Sequence, residues 1–223
     1  MNKLIRSLAS VLCPGVAHYN TCSDQPAFAR LRNDKPVAPV ADPSLFRDDF
    51  TMISHNLVYN FVLSAAEEES GATFARYVHR RIRVNTQKGS DSLTHIILPL
   101  RPTEAISFMR ARIVQPDGSS LQLSGQLEYM GTAKEPKAVL SIPPVPVGGE
   151  LEYETEGLVK NDFAGAEYFQ WEYPTLETHF KIIYPKKYFI RTTSRNGYPQ
   201  ATSYTKPEGN VLEVKTGIIQ AKK

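Results

Sequence analysis

Cysteine is almost missing from this chain: Cys13 and Cys22 are the only two, and no thiol follows position 22. Everything beyond that point therefore lacks a thiolate nucleophile, and a bridge between the two would close only a short loop near the start. No run of about 20 apolar residues occurs either, which excludes a transmembrane helix. Gly-x-Ser-x-Gly is absent, as are a Gly-rich phosphate loop and a dinucleotide fingerprint, so neither a serine hydrolase of the elbow type nor a nucleotide site has its signature here. An excess of one charge is lacking as well. With 26 basic against 23 acidic residues the net charge is +3, too small to argue for a nucleic-acid partner. No cofactor is implied.

What is present favours pleated structure. Eleven Tyr, ten Phe and many Val, Ile and Thr suit strands, while 16 Pro and 13 Gly interrupt helices repeatedly. A chain of 223 residues with 41% hydrophobic content can bury one sizeable core. The expected fold is all-β, an antiparallel β-sandwich-like domain behind a poorly structured N-terminal leader. Residues 1–20 form that leader: Lys3 and Arg6 make a basic start, Leu8 to Cys13 an apolar run broken by Ser10 and ended by Pro14, and Gly15-Val16-Ala17 a stretch small enough for signal peptidase. Leu12 directly before Cys13 departs from a lipoprotein cleavage box, which wants a small residue there. Export to the periplasm or the cell exterior is the expectation. Residues 21–50, with Pro26, Pro36, Pro39 and Pro43, read as a linker or arm, residues 51–215 as the β-sandwich domain, and 216–223 as a tail.

Alternation locates the strands. Leu57, Tyr59, Phe61 and Leu63 recur at spacing two, and the turn Glu67-Glu68-Glu69 with Gly71 proposes a hairpin to a second strand. There Phe74, Val78, Ile82 and Val84 share one face and Tyr77, His79, Arg81 and Arg83 the other, as in a sheet wet on one side and ended by Lys88-Gly89. Leu93 to Leu98 follows, then Ser107 to Val114, in which Met109, Ala111 and Ile113 alternate with Arg110 and Arg112. Gln115-Pro116-Asp117-Gly118 is a turn, returning through Leu121 and Leu123. After Pro143 to Gly149, which must be an edge or a connection, Leu151, Tyr153 and Thr155 alternate with Glu150, Glu152 and Glu154. Further strands are expected at Tyr168 to Tyr173, Thr178 to Tyr184, Tyr188 to Thr193, Ala201 to Thr205 and Val211 to Lys215, the spacing of a sandwich.

The order of these landmarks resembles a known family. Tyr77-Val78-His79-Arg80-Arg81-Ile82-Arg83-Val84, Lys88-Gly89, Arg110 to Gly118, and Pro143-Pro144-Val145-Pro146-Val147-Gly148-Gly149-Glu150-Leu151-Glu152-Tyr153 follow one another as in domain of unknown function 3857, with Phe169 to Pro174 and Phe180 to Pro185 similar to its closing strands. The resemblance runs from about Leu57 to Thr193. It implies an all-β domain of exported bacterial proteins that stands before a transglutaminase-like catalytic domain and has no established activity of its own. A transglutaminase-like domain needs Cys, His and Asp after the β domain, and no Cys follows Cys22. This chain is then either a free-standing copy or a fragment of a longer transglutaminase-like enzyme.

Candidate chemistry is sparse. Ser54-His55 and Ser194 read as ordinary loop residues; Glu177 and His179 are two metal-type ligands too few to make a zinc site; Asn161-Asp162 with Gly165 lacks the carboxylates calcium needs. Two groups remain as a candidate binding surface. Arg81, Arg83, Arg110 and Arg112 can meet across neighbouring strands, either as an outer face neutralised by Glu or as a dock for an acidic partner. Phe169, Trp171 and Tyr173 share a face, either as core or as a platform for sugar rings. The leading expectation is a non-catalytic accessory or interaction domain with a protein partner or an adjacent transglutaminase-like domain; the alternative is a carbohydrate-binding module facing an envelope glycan.

Overall fold

The computed structural model describes residues 43–61, 73–160, 166–207 and 209–221, all within the compact unit Ala41–Lys223. The leader, most of the arm, the Glu67 to Gly71 turn and the Asn161–Gly165 loop lie outside the described residues. Among the described residues strand far exceeds helix, so the all-β reading holds. Eleven strands follow in order among the described residues: β1 Phe50–Asn60, β2 Thr73–Val84, β3 His95–Pro99, β4 Ala105–Val114, β5 Ser120–Leu123, β6 Glu128–Gly131, β7 Pro136–Ser141, β8 Glu150–Lys160, β9 Thr178–Tyr184, β10 Thr202–Lys206 and β11 Gly209–Thr216.

These form an eight-stranded sheet in the order β10-β11-β9-β1-β2-β8-β4-β5 and a three-stranded sheet in the order β3-β7-β6. One pairing departs from the antiparallel expectation: β1 and β9 run parallel, His55 opposite Thr178 and Tyr59 opposite Ile182. Four expectations need correction. Tyr168 to Tyr173 and Tyr188 to Thr193 are not strands: in the first, alternation of aromatics marks a face to be buried and does not supply a partner for the backbone, and in the second the adjacent Tyr188 and Phe189 are both exposed. Lys88-Gly89 lies inside a short helix, α1 Gln87–Ser92, capped by Thr86, whose hydroxyl accepts from Gly89 N at 3.1 Å. Gly89 belongs there because a Cβ would stand 2.6 Å from the Asp49 carbonyl oxygen. Ser54 and His55 sit within β1, and both are buried.

Hydrophobic burial follows the pleat. On what we call the inner face, Met52, Ile82, Leu151 and Ile113 pack against Ile96, Leu98, Ala138 and Leu140 of the small sheet. A second cluster on the same face gathers Leu57, Tyr59, Phe74, Val78, Ile182 and Leu212, with Phe169 laid over them. Fully burying side chains of this size is worth about 1.5–3 kcal/mol each, so these clusters carry the fold. The loop at Pro116-Asp117-Gly118 is the turn that its sequence promised: Gly118 N donates to the Gln115 carbonyl at 2.9 Å, Gly118 takes a φ of 86°, and the Asp117 carboxylate accepts from Ser119 N.

Candidate functional site

The opposite, outer face of the same sheet carries charge. Register sets Arg81 opposite Glu152 and Glu152 opposite Arg112, and one step along it sets His79, Glu154 and Arg110 in line. Alternation in β8 puts Glu150, Glu152, Glu154 and Glu156 on one face, between the cations of β2 and β4. Side chains then pair diagonally as well as directly across. Arg81 donates to Glu150, Arg112 Nε to Glu152 at 2.6 Å, Arg110 to Glu154 at 2.9 Å, and Tyr77 OH to Glu154 at 2.7 Å. His79 Nε2 meets Glu152 at 2.8 Å while its Nδ1 lies 3.2 Å from Asn56 Nδ2 of β1. Farther along, Glu213 of β11 accepts from His179 at 2.6 Å, with Lys181 and Lys215 also near it.

This ladder is drier than a wet sheet face. His79 and Arg81 are each 2% exposed and Glu154 4%, which corrects the solvated face expected for β2. Burial pushes the Glu152 carboxyl up, but hydrogen bonds from His79 and Arg112 outweigh it and bring it down to about 2. Burial also raises Glu213, and His179, Lys181 and Lys215 outweigh it, so its pKa falls below the ordinary value. His179 is lowered by its own burial. At neutral pH a neutral His179 therefore donates to an ionised Glu213.

The structure brings the four candidate arginines onto one face, at graded depth: the side chains of Arg81, Arg83, Arg112 and Arg110 are 3%, 29%, 32% and 49% exposed. The aromatic trio turns the other way. Phe169 is 8% exposed, Trp171 and Tyr173 stack on each other and pack against the inner cluster, and Tyr173 also meets Phe50 edge-on. Burial pushes the Tyr173 hydroxyl up to about 12. Sequence reasoning missed what lies under that trio. Thr216, Thr178, His55, Arg80 and Tyr153 stand in one row across the inner face, between the two hydrophobic clusters. The Arg80 guanidinium lies 4.5 Å from the centre of the Trp171 ring and donates to Tyr153 OH at 3.0 Å. His55 packs edge-on against Trp171, and burial, then Arg80, Arg76 and His79, hold it well below its ordinary pKa. The signal was available: Arg76 and Arg80 fall in phase with Phe74, Val78 and Ile82, two cations written into an apolar stripe. Arg76 is answered by Glu104 at 3.1 Å, which fits because Gly157 has no Cβ to strike its carboxylate.

The family model for DUF3857, a domain of unknown function with a solved structure, matches residues 72–215. The chain belongs to this family. The match begins and ends later than the Leu57 to Thr193 stretch read from the landmarks, so β10 and most of β11 are part of the family domain. Among solved structures, a protein described as a putative protease from Parabacteroides distasonis is similar over 78% of this chain at 11% identity and a TM-score of 0.61. The chain covers only 36% of that protein. An M1 zinc metallopeptidase from Deinococcus radiodurans is similar over 78% of this chain and 40% of its own, at 11% identity and a TM-score of 0.40. No curated protein matches the sequence. At such identities the likeness to the Parabacteroides protein shows the shared fold alone.

Among the described residues no helix is long and apolar enough to cross a membrane, and no group of His, Cys, Asp and Glu could hold a metal ion.

Proposed function

We propose that the chain is a non-catalytic accessory β domain of an exported bacterial protein, which positions a partner or an adjacent catalytic domain, of transglutaminase-like type, instead of performing chemistry. The observation that carries this reading is the engagement of His79. At the centre of the outer ladder its Nε2 is held by Glu152 and its Nδ1 faces Asn56, so neither ring nitrogen is left for a substrate proton. A fold that fills about a third of the Parabacteroides protein is also one module of a larger chain there, which suits an accessory role. Edge strands β3 and β6 offer Ile97, Tyr129 and Met130 as exposed apolar contacts for a protein neighbour. The glycan alternative gains no support, because the aromatic trio packs inward.

Affinity capture from the native envelope with the full chain should retain a defined protein and no glycan, with retention unchanged by His79→Gln. Peptide or amide turnover by the purified protein that disappears in His79→Gln would overturn the reading, and so would retention of glycan alone.

A further inference from the structure

Arg80 is the exception among the buried cations of this sheet. Its near neighbours each have a carboxylate: Arg76 has Glu104, Arg81 has Glu150 and Arg112 has Glu152. Arg80, 8% exposed, has none among the described residues, and its Nε makes no hydrogen bond. Its row is rich in polar groups in the same condition, most of them donors. Both ring nitrogens of His55, the Thr178 and Thr216 hydroxyls and the Trp171 indole N–H are buried without a partner. A buried charge without a counter-charge and a run of unanswered donors are each unfavourable, and one acceptor-only group would relieve both.

Above the row runs the segment 166–173, which includes the Tyr168 to Tyr173 stretch expected as a strand. Its residues make no backbone hydrogen bonds among the described residues; the first is Met52 N to the Pro174 carbonyl at 2.8 Å. Side chains alone hold it, through Glu167 to Arg101 at 3.3 Å, Gln170 to the Gln220 carbonyl, and the Trp171 ring over Arg80. Lifting it breaks packing and these few side-chain bonds, with that from Tyr59 OH to Glu167, but no backbone ladder, as suits a cover that yields to a ligand.

We propose that Arg80, with His55 and Thr178 beside it and Trp171 as a displaceable cover, forms a binding site for a ligand bearing a single carboxylate. One guanidinium balances one negative charge, and its planar fork matches the two oxygens of a carboxylate. A phosphate dianion would leave this enclosed row with uncompensated negative charge. The ligand enters at the edge of segment 166–173 and takes the place of the Trp171 ring against the guanidinium.

Trp171 is the single tryptophan of the chain, so its emission reports the event directly. The full chain is titrated with sodium acetate against sodium chloride at equal ionic strength. Acetate should shift the Trp171 emission and raise the melting temperature by roughly 3 °C over chloride. Arg80→Met should lose both responses, and Arg80→Lys, which keeps the charge without the fork, should need at least about tenfold more acetate for half the emission shift. Absence of either response in the unmodified protein overturns the proposal, as do equal responses in Arg80→Met. Should Arg80→Met not fold, an unchanged half-response concentration in Arg80→Lys overturns it.

Discussion

Arg80 and Arg81 are neighbours in sequence and both are nearly buried, at 8% and 2% exposure, yet the pleat sends them to opposite faces of one sheet and into opposite electrostatic situations. Arg81 enters a ladder in which Glu150, Glu152 and Glu154 answer the cations on both sides. Arg80 enters a row with hydroxyls, an imidazole and an indole but no carboxylate. The difference teaches that burial of charge has two meanings in this protein. On the outer face it is closed bookkeeping between β2, β8 and β4, while on the inner face it leaves donors without an acceptor.

The ladder gives the largest expected effect. Glu152 serves His79 and Arg112 together, so Glu152→Ala strands a buried imidazole and a half-buried guanidinium at once. Urea unfolding should show a loss of about 3 kcal/mol. A loss below about 1 kcal/mol would mean that the pairs hold nothing and that the contrast with Arg80 is empty.

Acid acts in two steps. His55 and Glu152 both have folded-state pKa values below their ordinary ones, so each stabilises the fold above the ordinary value and stops doing so as pH falls. The histidines respond first, His55 of the inner row together with His179 of the outer face, with stability declining as pH drops below about 6.5, where both would protonate if unfolded. The ladder follows between 4.5 and about 2, as Glu152 is forced to take a proton, at a cost of about 2 kcal/mol once solvent screening is allowed for. Chemical denaturation from pH 8 to pH 2 should resolve the two phases, and His55→Phe should shrink the upper one, leaving the share of His179, without changing the lower. A single phase near pH 4 in the unmodified protein would show that the inner row does not resist protonation.

The smallest effect belongs to the rim of the ladder. Arg110 reaches Glu154 at 2.9 Å but is 49% exposed, so the pair is screened. Arg110→Ala should change stability by less than about 1 kcal/mol, and added salt should shrink even that. A loss approaching that of Glu152→Ala would place Arg110 with the buried members.

Much of this was legible in the chain itself. Period-two alternation located β4, β8, β9 and β11 closely, because each has one face that water must not reach, and Pro-Asp-Gly declared its turn through dihedral preferences that act within four residues. The same logic failed at Phe169, Trp171 and Tyr173, where alternation was present but no strand formed: a side-chain pattern records which face is buried, whereas a strand needs a neighbouring backbone. It failed again at His55, read as a loop residue because a polar pair next to Asn56 carries no strand signal of its own.

By itself, then, the sequence determined the β class, the family, the turn chemistry and the sorting of side chains to one face or the other, all of which rest on local stereochemistry. Only tertiary structure decided which strands lie side by side. That placement made β8 the acidic strand between two basic ones, ran β9 parallel to β1, and drew Trp171 across Arg80. Pairing of charges depends on register between segments far apart in the chain, as Arg81 and Glu150 are, and so it cannot be read from either segment alone.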